Sequence, residues 1–150
     1  MSRGSGKNKR SHTRALAMQA HYQQQLDGTS RGQLQTQFEE RREHERVDAE
    51  YFATLLKESM RDVEALDAEI TERADRSFDQ LNPVEIAILR VAITELKHHI
   101  EVPYRVVINE AVELAHRFGA EDGHKYVNAI LDRAAAAHRA VEHAARRRSG

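Results

Sequence analysis

A chain of 150 residues, 40% of them apolar and 31% charged, has the length and composition of one folded soluble domain. It has no cysteine, which excludes disulfides and thiolate metal sites and fits a reducing compartment such as the cytoplasm. No apolar run approaches the roughly 20 residues needed to span a bilayer, and no apolar segment follows the basic N-terminus as a secretory signal would require.

Residues 1–9 are mostly Gly, Ser and basic residues, a composition that predicts a disordered arm. Ser11 suits the N-cap of a first helix with Leu16, Ala17 and Ala20 along one side, ending before Gly28. Residues 29–32 read as a turn. From Gln33 to about Ala74, Phe38, Tyr51, Phe52, Leu55, Leu56, Met60, Val63, Leu66 and Ile70 recur mostly at spacings of three and four, which predicts one long amphipathic helix with a charged outer face. A short helix or turn follows over Phe78–Leu81.

Asn82, Pro83 and Glu85 carry the strongest start signal in the chain: a cap, a proline at the first helical position and an acid three residues after the cap. The helix they open is apolar on most sides, from Val84 to Leu96, and so belongs in the centre of a fold. Pro103 opens the next helix, with Val107, Ala111, Leu114, Ala115 and Phe118 as its buried stripe and Gly119 as its stop. Glu121 or Asp122 opens another, with Val127, Ile130, Leu131 and Ala134 inward. Residues 138–150 form a basic tail that extends this helix and frays. No segment alternates with a period of two. The expected fold is all-α, with six or seven helices of about 11–12 residues each.

The formal net charge of −1 hides an uneven distribution. Arg3, Lys7, Lys9, Arg10 and Arg14 open the chain without an acid among them, Arg146, Arg147 and Arg148 stand near its end, and the middle is acid-rich. Basic ends on a near-neutral protein fit a polyanion partner, or a pair of solubilising tails. Phosphate-loop, zinc-protease and nucleophile-elbow motifs are absent. The histidines are scattered without metal-ligand spacing, so no metal or other cofactor is expected. Arg10, Arg14, Gln19 and Tyr22 on the first helix, and Lys125 with Tyr126 on a later one, combine cations with rings. Cations hold phosphates and rings stack on unpaired bases, although both tyrosines also fit the edge of an ordinary core.

Three blocks carry a resemblance. They are Arg14 to Tyr22 (RALAMQAHY), Val84 to Arg90 (VEIAILR), and Glu101 through Asp132, which contains VPYRVVINEAVELA and FGAEDGHKYVNAILD. In this order and spacing they resemble the NusB family of bacterial transcription antitermination factors. Two positions depart from the family pattern: His21 stands where Leu is usual, a weak point in packing, and Ala129 where Gly is usual.

The resemblance implies a compact domain over residues 10–137, built of two small helical bundles, 10–80 and 81–137, sharing one core. It implies a non-enzymatic protein that binds boxA RNA of ribosomal RNA operon leaders together with NusE, a ribosomal small-subunit protein. With NusA, NusG and RNA polymerase, that pair resists premature, Rho-dependent termination. Lys7, Lys9, Arg10, Arg14, Gln19, Tyr22, Arg90, Lys125 and Tyr126 become RNA-contact candidates, and Glu85 and Asp122 candidates for the NusE side. An accessory domain of an RNA-modifying enzyme, or a helical protein-interaction module, would carry the same fold.

Overall fold

The computed structural model describes the backbone of residues 2–75 and 78–149, and the side chains of residues 9–75 and 78–146. Among the described residues the fold is all-α. The helices are α1 (Ser2–Asp27), α2 (Arg31–Glu39), α3 (Ala49–Arg61), α4 (Val63–Arg73), α5 (Pro83–His98), α6 (Tyr104–Phe118), α7 (Gly123–His138) and α8 (Ala140–Ser149), with short 3-10 helices at Arg42–Arg46 and Phe78–Gln80.

Helix α5 is the axis. The Asn82 side chain accepts the Val84 N–H at 2.8 Å and Pro83 takes the first helical position, as their chemistry requires. Every residue from Glu85 to Leu96 is buried. Helices α1, α3, α4, α6 and α7 all pack against it. One apolar cluster joins Leu16, Leu34, Phe38, Phe52, Leu55 and Leu56 of α1–α3 to Val91 of α5. The other joins Leu66 and Ile70 of α4 to Leu89, Ile93, Ile108, Leu131 and their neighbours on α5–α7. Helix α4 therefore packs with the C-terminal cluster although it precedes residue 81. Each large side chain so buried is worth about 1.5–3 kcal/mol.

The single long helix expected over 33–74 is four elements. Asp48 stops and restarts the chain, its carboxylate accepting the Tyr51 N–H at 3.1 Å as the cap of α3. Asp62, at φ −112° and ψ 27°, breaks α3 from α4. The break lets Leu66 and Ile70 turn to the second cluster, which one straight helix could not do.

The N-terminal segment expected to be disordered is the first part of α1, so Ser11 is not a cap. Inside the helix the Ser11 hydroxyl donates to Glu110 at 2.6 Å, and Thr13 donates to the Lys9 carbonyl at 2.6 Å. With α1 anchored there, each preceding residue extends a helix already nucleated. At its other end α1 stops where expected: Gly28 has φ 71°, a left-handed conformation that favours glycine. The expected fraying tail is instead a separate helix, α8, after a break at Arg139.

Candidate nucleic-acid interface

Two polar regions lie along α1, one on each side of it. The inner one is a seam against α5. Arg14 is 5% exposed. Its Nε and Nη2 donate to the two carboxylate oxygens of Glu95 at 2.7 and 2.9 Å, and its Nη1 donates to Glu110 at 3.1 Å. Burial alone would weaken the Arg14 charge, but hydrogen bonding and the charges of Glu95 and Glu110 outweigh it and raise its pKa. The Tyr51 hydroxyl donates to Glu95 at 2.5 Å. Burial first, then the Glu95 charge, pushes that hydroxyl well above the usual phenol range, so it stays a donor. Farther along, Arg90 is 4% exposed. It binds both oxygens of Asp67 at 2.8 and 2.7 Å and donates to Gln24 at 2.8 Å.

These geometries correct two of the RNA-contact expectations. Arg14 and Arg90 are committed to carboxylates inside the fold, and releasing either would strand a partly or wholly buried charge. Arg10 is intermediate. Its guanidinium lies 3.7 Å from the centre of the Tyr51 ring and 3.5 Å from Asp48, with part of it still open to solvent.

The outer region is a rim. His12, Ala15, Gln19 and Tyr22 follow one another at spacings of three and four on the outer face of α1. Lys9 is exposed, and Tyr22 is 37% exposed. The Lys7 side chain lies outside the described residues. Gln19 accepts from Arg41 at 3.4 Å, and Arg41 in turn stacks on Phe38. Beside Gln19 is a notch of about 160 Å³, walled by His12, Arg46, Arg117 and Phe118 among others.

The chain leaving Phe118 turns through Gly119 into the start of α7. A Cβ at Gly119 would approach the Ala115 carbonyl oxygen at 2.7 Å, so only glycine fits this tight exit. Asp122 follows at φ 67°, the one non-glycine residue with positive φ among the described residues. Aspartate tolerates that conformation better than most residues. It holds Asp122 exposed, 3.4 Å from Lys125. The His116 and His124 rings stack at 3.9 Å and brace the end of α6 against α7.

Glu85 does not fold back to complete a capping box. Its carboxylate faces Gly123, where a Cβ would stand 2.0 Å from Glu85 Oε2. Glu85 is only 5% exposed and lines a depression of about 240 Å³ with Gln80, Asn82, Glu121, Gly123 and Tyr126. The seat beneath the carboxylate is the N-terminal end of α7. Gln25 donates to the Pro83 carbonyl at 2.8 Å, which brings the end of α1 to the start of α5 and closes the rim.

Of the expected contact residues, Tyr22, Asp122 and Lys125 are exposed, Gln19 lines the notch, Glu85 and Tyr126 line the depression, and Arg14 and Arg90 lie in the seam. The notch also holds Arg46, Arg117 and Phe118, which the sequence reading omits. Phe118 is 42% exposed and lies under Arg117, 4.8 Å away, rather than in the core. The signal was an Arg–Phe pair at a helix end, the same chemistry as Lys125–Tyr126, but the apolar stripe of α6 absorbed it. Among the described residues no three metal-ligating side chains gather, and no helix is long and apolar enough to cross a membrane.

The described residues thus form an all-helical domain with an internal ion-paired seam and, outside it, exposed cations, amides and rings. The NusB family matches residues 11–136, and the chain belongs to that family. It is 48% identical over 130 residues to the transcription antitermination protein NusB of Paraburkholderia phymatum, covering 87% of this chain and 90% of that one. The Paraburkholderia phytofirmans protein of the same name is 47% identical over 95% of this chain and 99% of its own length. Among solved structures, T. maritima NusB superposes with a TM-score of 0.70 at 27% identity, over 83% of this chain and 89% of that one. A second match, with a TM-score of 0.72 at 26% identity, covers 85% of this chain and 96% of that one. It comes from a crystal structure of the antitermination factors NusB and NusE in complex with dsRNA.

Proposed function

We propose that this protein is a non-enzymatic, cytoplasmic transcription antitermination factor that binds single-stranded boxA RNA together with NusE. In the larger assembly it acts with NusA, NusG and RNA polymerase to resist premature termination. What supports the reading is membership of the NusB family, together with a notch that sets Gln19 beside Arg46, Arg117 and Phe118 and a depression lined by Tyr126.

Each group has a fitting task. Lys9, Arg10, Lys125 and the basic start of α1 neutralise phosphates. Tyr22 and Tyr126 offer faces to unstacked bases. Asp122, exposed beside Lys125, and Glu85, in its depression, face the NusE side. A rim with so few cations binds RNA weakly alone, so a second protein that adds contacts raises the affinity.

The test is fluorescence anisotropy of a labelled boxA RNA, titrated with the protein alone and then with NusE present. Sequence-dependent binding that tightens with NusE is expected. Binding that ignores both RNA sequence and NusE would leave only the fold in common with the family. Removing residues 1–10 is expected to weaken RNA binding while NusE binding persists; equal loss of both would contradict the division of labour.

A further inference from the structure

The notch beside Gln19 joins three stretches of chain: α1, the short 3-10 helix Arg42–Arg46 and the end of α6. Its walls carry His12 and Gln19 from the first, Glu43 and Arg46 from the second, and Arg117 and Phe118 from the third. The two arginines set it apart. Arg14, Arg73, Arg90 and Arg139 each bind a carboxylate. Among the described residues neither Arg46 nor Arg117 is paired with one, and Glu43 is the only acid in the walls. Two cations from segments far apart in sequence, met by one acid, leave the hollow net positive, which suits an anion.

Both arginines stand on rigid supports. Val47, next to Arg46, is buried, and the Asp48 N–H donates to the Thr13 hydroxyl of α1 at 2.9 Å. On the other side of Arg46 the His44 ring meets the Phe52 ring of α3 edge-on at 5.6 Å. The 3-10 helix is thereby fastened to α1 and to α3. At the end of α6 the Gly119 N–H donates to the Ala115 carbonyl at 2.8 Å, and the His116–His124 stack holds the last turn against α7. A site held in this way loses little freedom when a ligand arrives.

Size and lining choose among anions. A volume of about 160 Å³ is the share of about five waters at roughly 30 Å³ each, room for one planar base or a phosphate but not for a peptide segment. The Phe118 ring is 42% exposed even with Arg117 over it. A ring beside guanidinium groups suits a base and its phosphate, whereas an inorganic anion has no use for the ring. The notch also has a neighbour. Ala120 and Glu121 line the depression that holds Glu85 and Tyr126. Ala120 is two residues from Phe118, at most about 7 Å of chain, so both hollows border one short connection.

We propose that the notch is a nucleotide subsite of its own. Arg46 and Arg117 take one backbone phosphate, Phe118 stacks the adjoining base, and the strand runs on across the connection to the depression. The 3-10 helix, which the sequence reading absorbed into one long helix, becomes an element that touches the ligand. This rests on the RNA-binding reading above and adds to it a subsite that, of the expected contact residues, only Gln19 lines.

Three variants at exposed positions test it: Phe118→Ala, Arg46→Ala/Arg117→Ala and Arg46→Lys/Arg117→Lys. Each, with wild type, is saturated with NusE and titrated with a labelled boxA RNA over a salt series, then with copies of that RNA made abasic at one nucleotide at a time. Binding to NusE without RNA is measured in parallel. Phe118→Ala is expected to bind the intact RNA about tenfold more weakly, as for one stacked base. At one position of the abasic series that deficit should vanish, because the base that the ring would stack is already gone. The Ala pair should bind more weakly, with a log K against log salt slope shallower by about 0.7, one phosphate no longer neutralised. The Lys pair should keep the wild-type slope. Wild-type affinity in Phe118→Ala, or an unchanged slope in the Ala pair, would overturn the inference and leave the RNA-binding reading intact. A Phe118→Ala deficit of equal size at every abasic position would overturn it too, since no base would then sit on the ring. Loss of NusE binding by these variants would overturn it in favour of a protein surface. Failure of wild type to bind the intact RNA would overturn the RNA-binding reading itself and this inference with it.

Discussion

The seam between α1 and α5 and the rim outside it carry similar residues to opposite ends. In the seam, Arg14 and Glu95 face each other with side chains 6% and 1% exposed, joined by Tyr51 and Glu110. On the rim, Lys125 and Asp122 also form a pair, but at 70% and 60% exposure. The first pair sits where an uncompensated charge is costly, so it fixes how α1 lies on α5. The second sits in water, where an ion pair contributes little, so its groups stay free to exchange partners. Cations in this fold are divided by burial into those that hold the helix and those that can meet a ligand.

The largest expected effect comes from breaking the seam. Arg14→Ala leaves the Glu95 carboxylate buried without its guanidinium and should cost about 3–5 kcal/mol in urea unfolding. Arg90→Ala should cost less, because the Asp67 side chain it abandons is 25% exposed. Rim changes should reverse the pattern. Replacing Tyr22 with Ala should reduce RNA affinity by an amount set by one stacked base, about 1–3 kcal/mol, with unfolding midpoints nearly unchanged. A rim variant that unfolds early, or a seam variant that stays stable, would blur the distinction.

His21 sharpens the comparison from inside. It is fully buried, with Nε2 2.7 Å from Ser59 Oγ and Nδ1 unpartnered. Burial, helped by the Arg90 charge, lowers its pKa from 6.5 to about 3. The folded state then binds fewer protons than the unfolded state between those values. Stability should be lost as pH falls below about 6.5, by at most about 1.4 kcal/mol per pH unit, until the folded pKa is reached. Ser59 can keep its bond to the Leu55 carbonyl, 2.8 Å away, without the imidazole. His21→Leu should therefore add about 1 kcal/mol at neutral pH by removing the unpaired nitrogen, and should flatten the acid limb measured by thermal melts across pH. An unchanged acid limb would show that other groups set it.

The smallest effect is the most local. Gly123→Ala places a Cβ against Glu85 Oε2, and the carboxylate, as the end of a flexible chain, can swing aside. The substitution alone should leave stability within about 1 kcal/mol of wild type, while in a Glu85→Ala background it should gain about 0.5–1 kcal/mol from helix propensity. A double-mutant cycle measures that coupling; additive effects would mean that the two residues do not meet.

The most legible elements were those set by local chemistry. Asn82 with Pro83, Pro103 and Gly119 mark helix ends through backbone conformation and capping, which depend on neighbours in sequence. The break at Asp62 was not legible, because Met60, Val63 and Leu66 carry the apolar spacing across it and only the second core cluster requires the turn; the break at Arg41–Val47 had a signal, a charged run without apolar residues from Glu39 to Arg46, which the long-helix reading passed over. The fate of Arg14 was hidden for a similar reason. A basic residue on an amphipathic helix looks the same whether its partner is a phosphate or a carboxylate 81 residues away. Phe118 shows the converse: its spacing fits a core stripe, but the stripe runs out where α6 leaves the core, and the ring is exposed. The docking of α8 depends on Arg139 reaching the Leu96 and His99 carbonyls at the end of α5, a match between two helix ends that no periodicity encodes.

The division between seam and rim is tested most directly by one anisotropy experiment. Labelled boxA RNA is titrated with wild type and with the Lys125→Ala/Tyr126→Ala variant, each with and without NusE, after unfolding curves have shown both proteins folded. The expected result is tight, sequence-dependent, NusE-enhanced binding by wild type and a loss of at least about tenfold by the variant, the equivalent of one stacked base. Equal binding by the two folded proteins would contradict the assignment of the rim as the RNA surface.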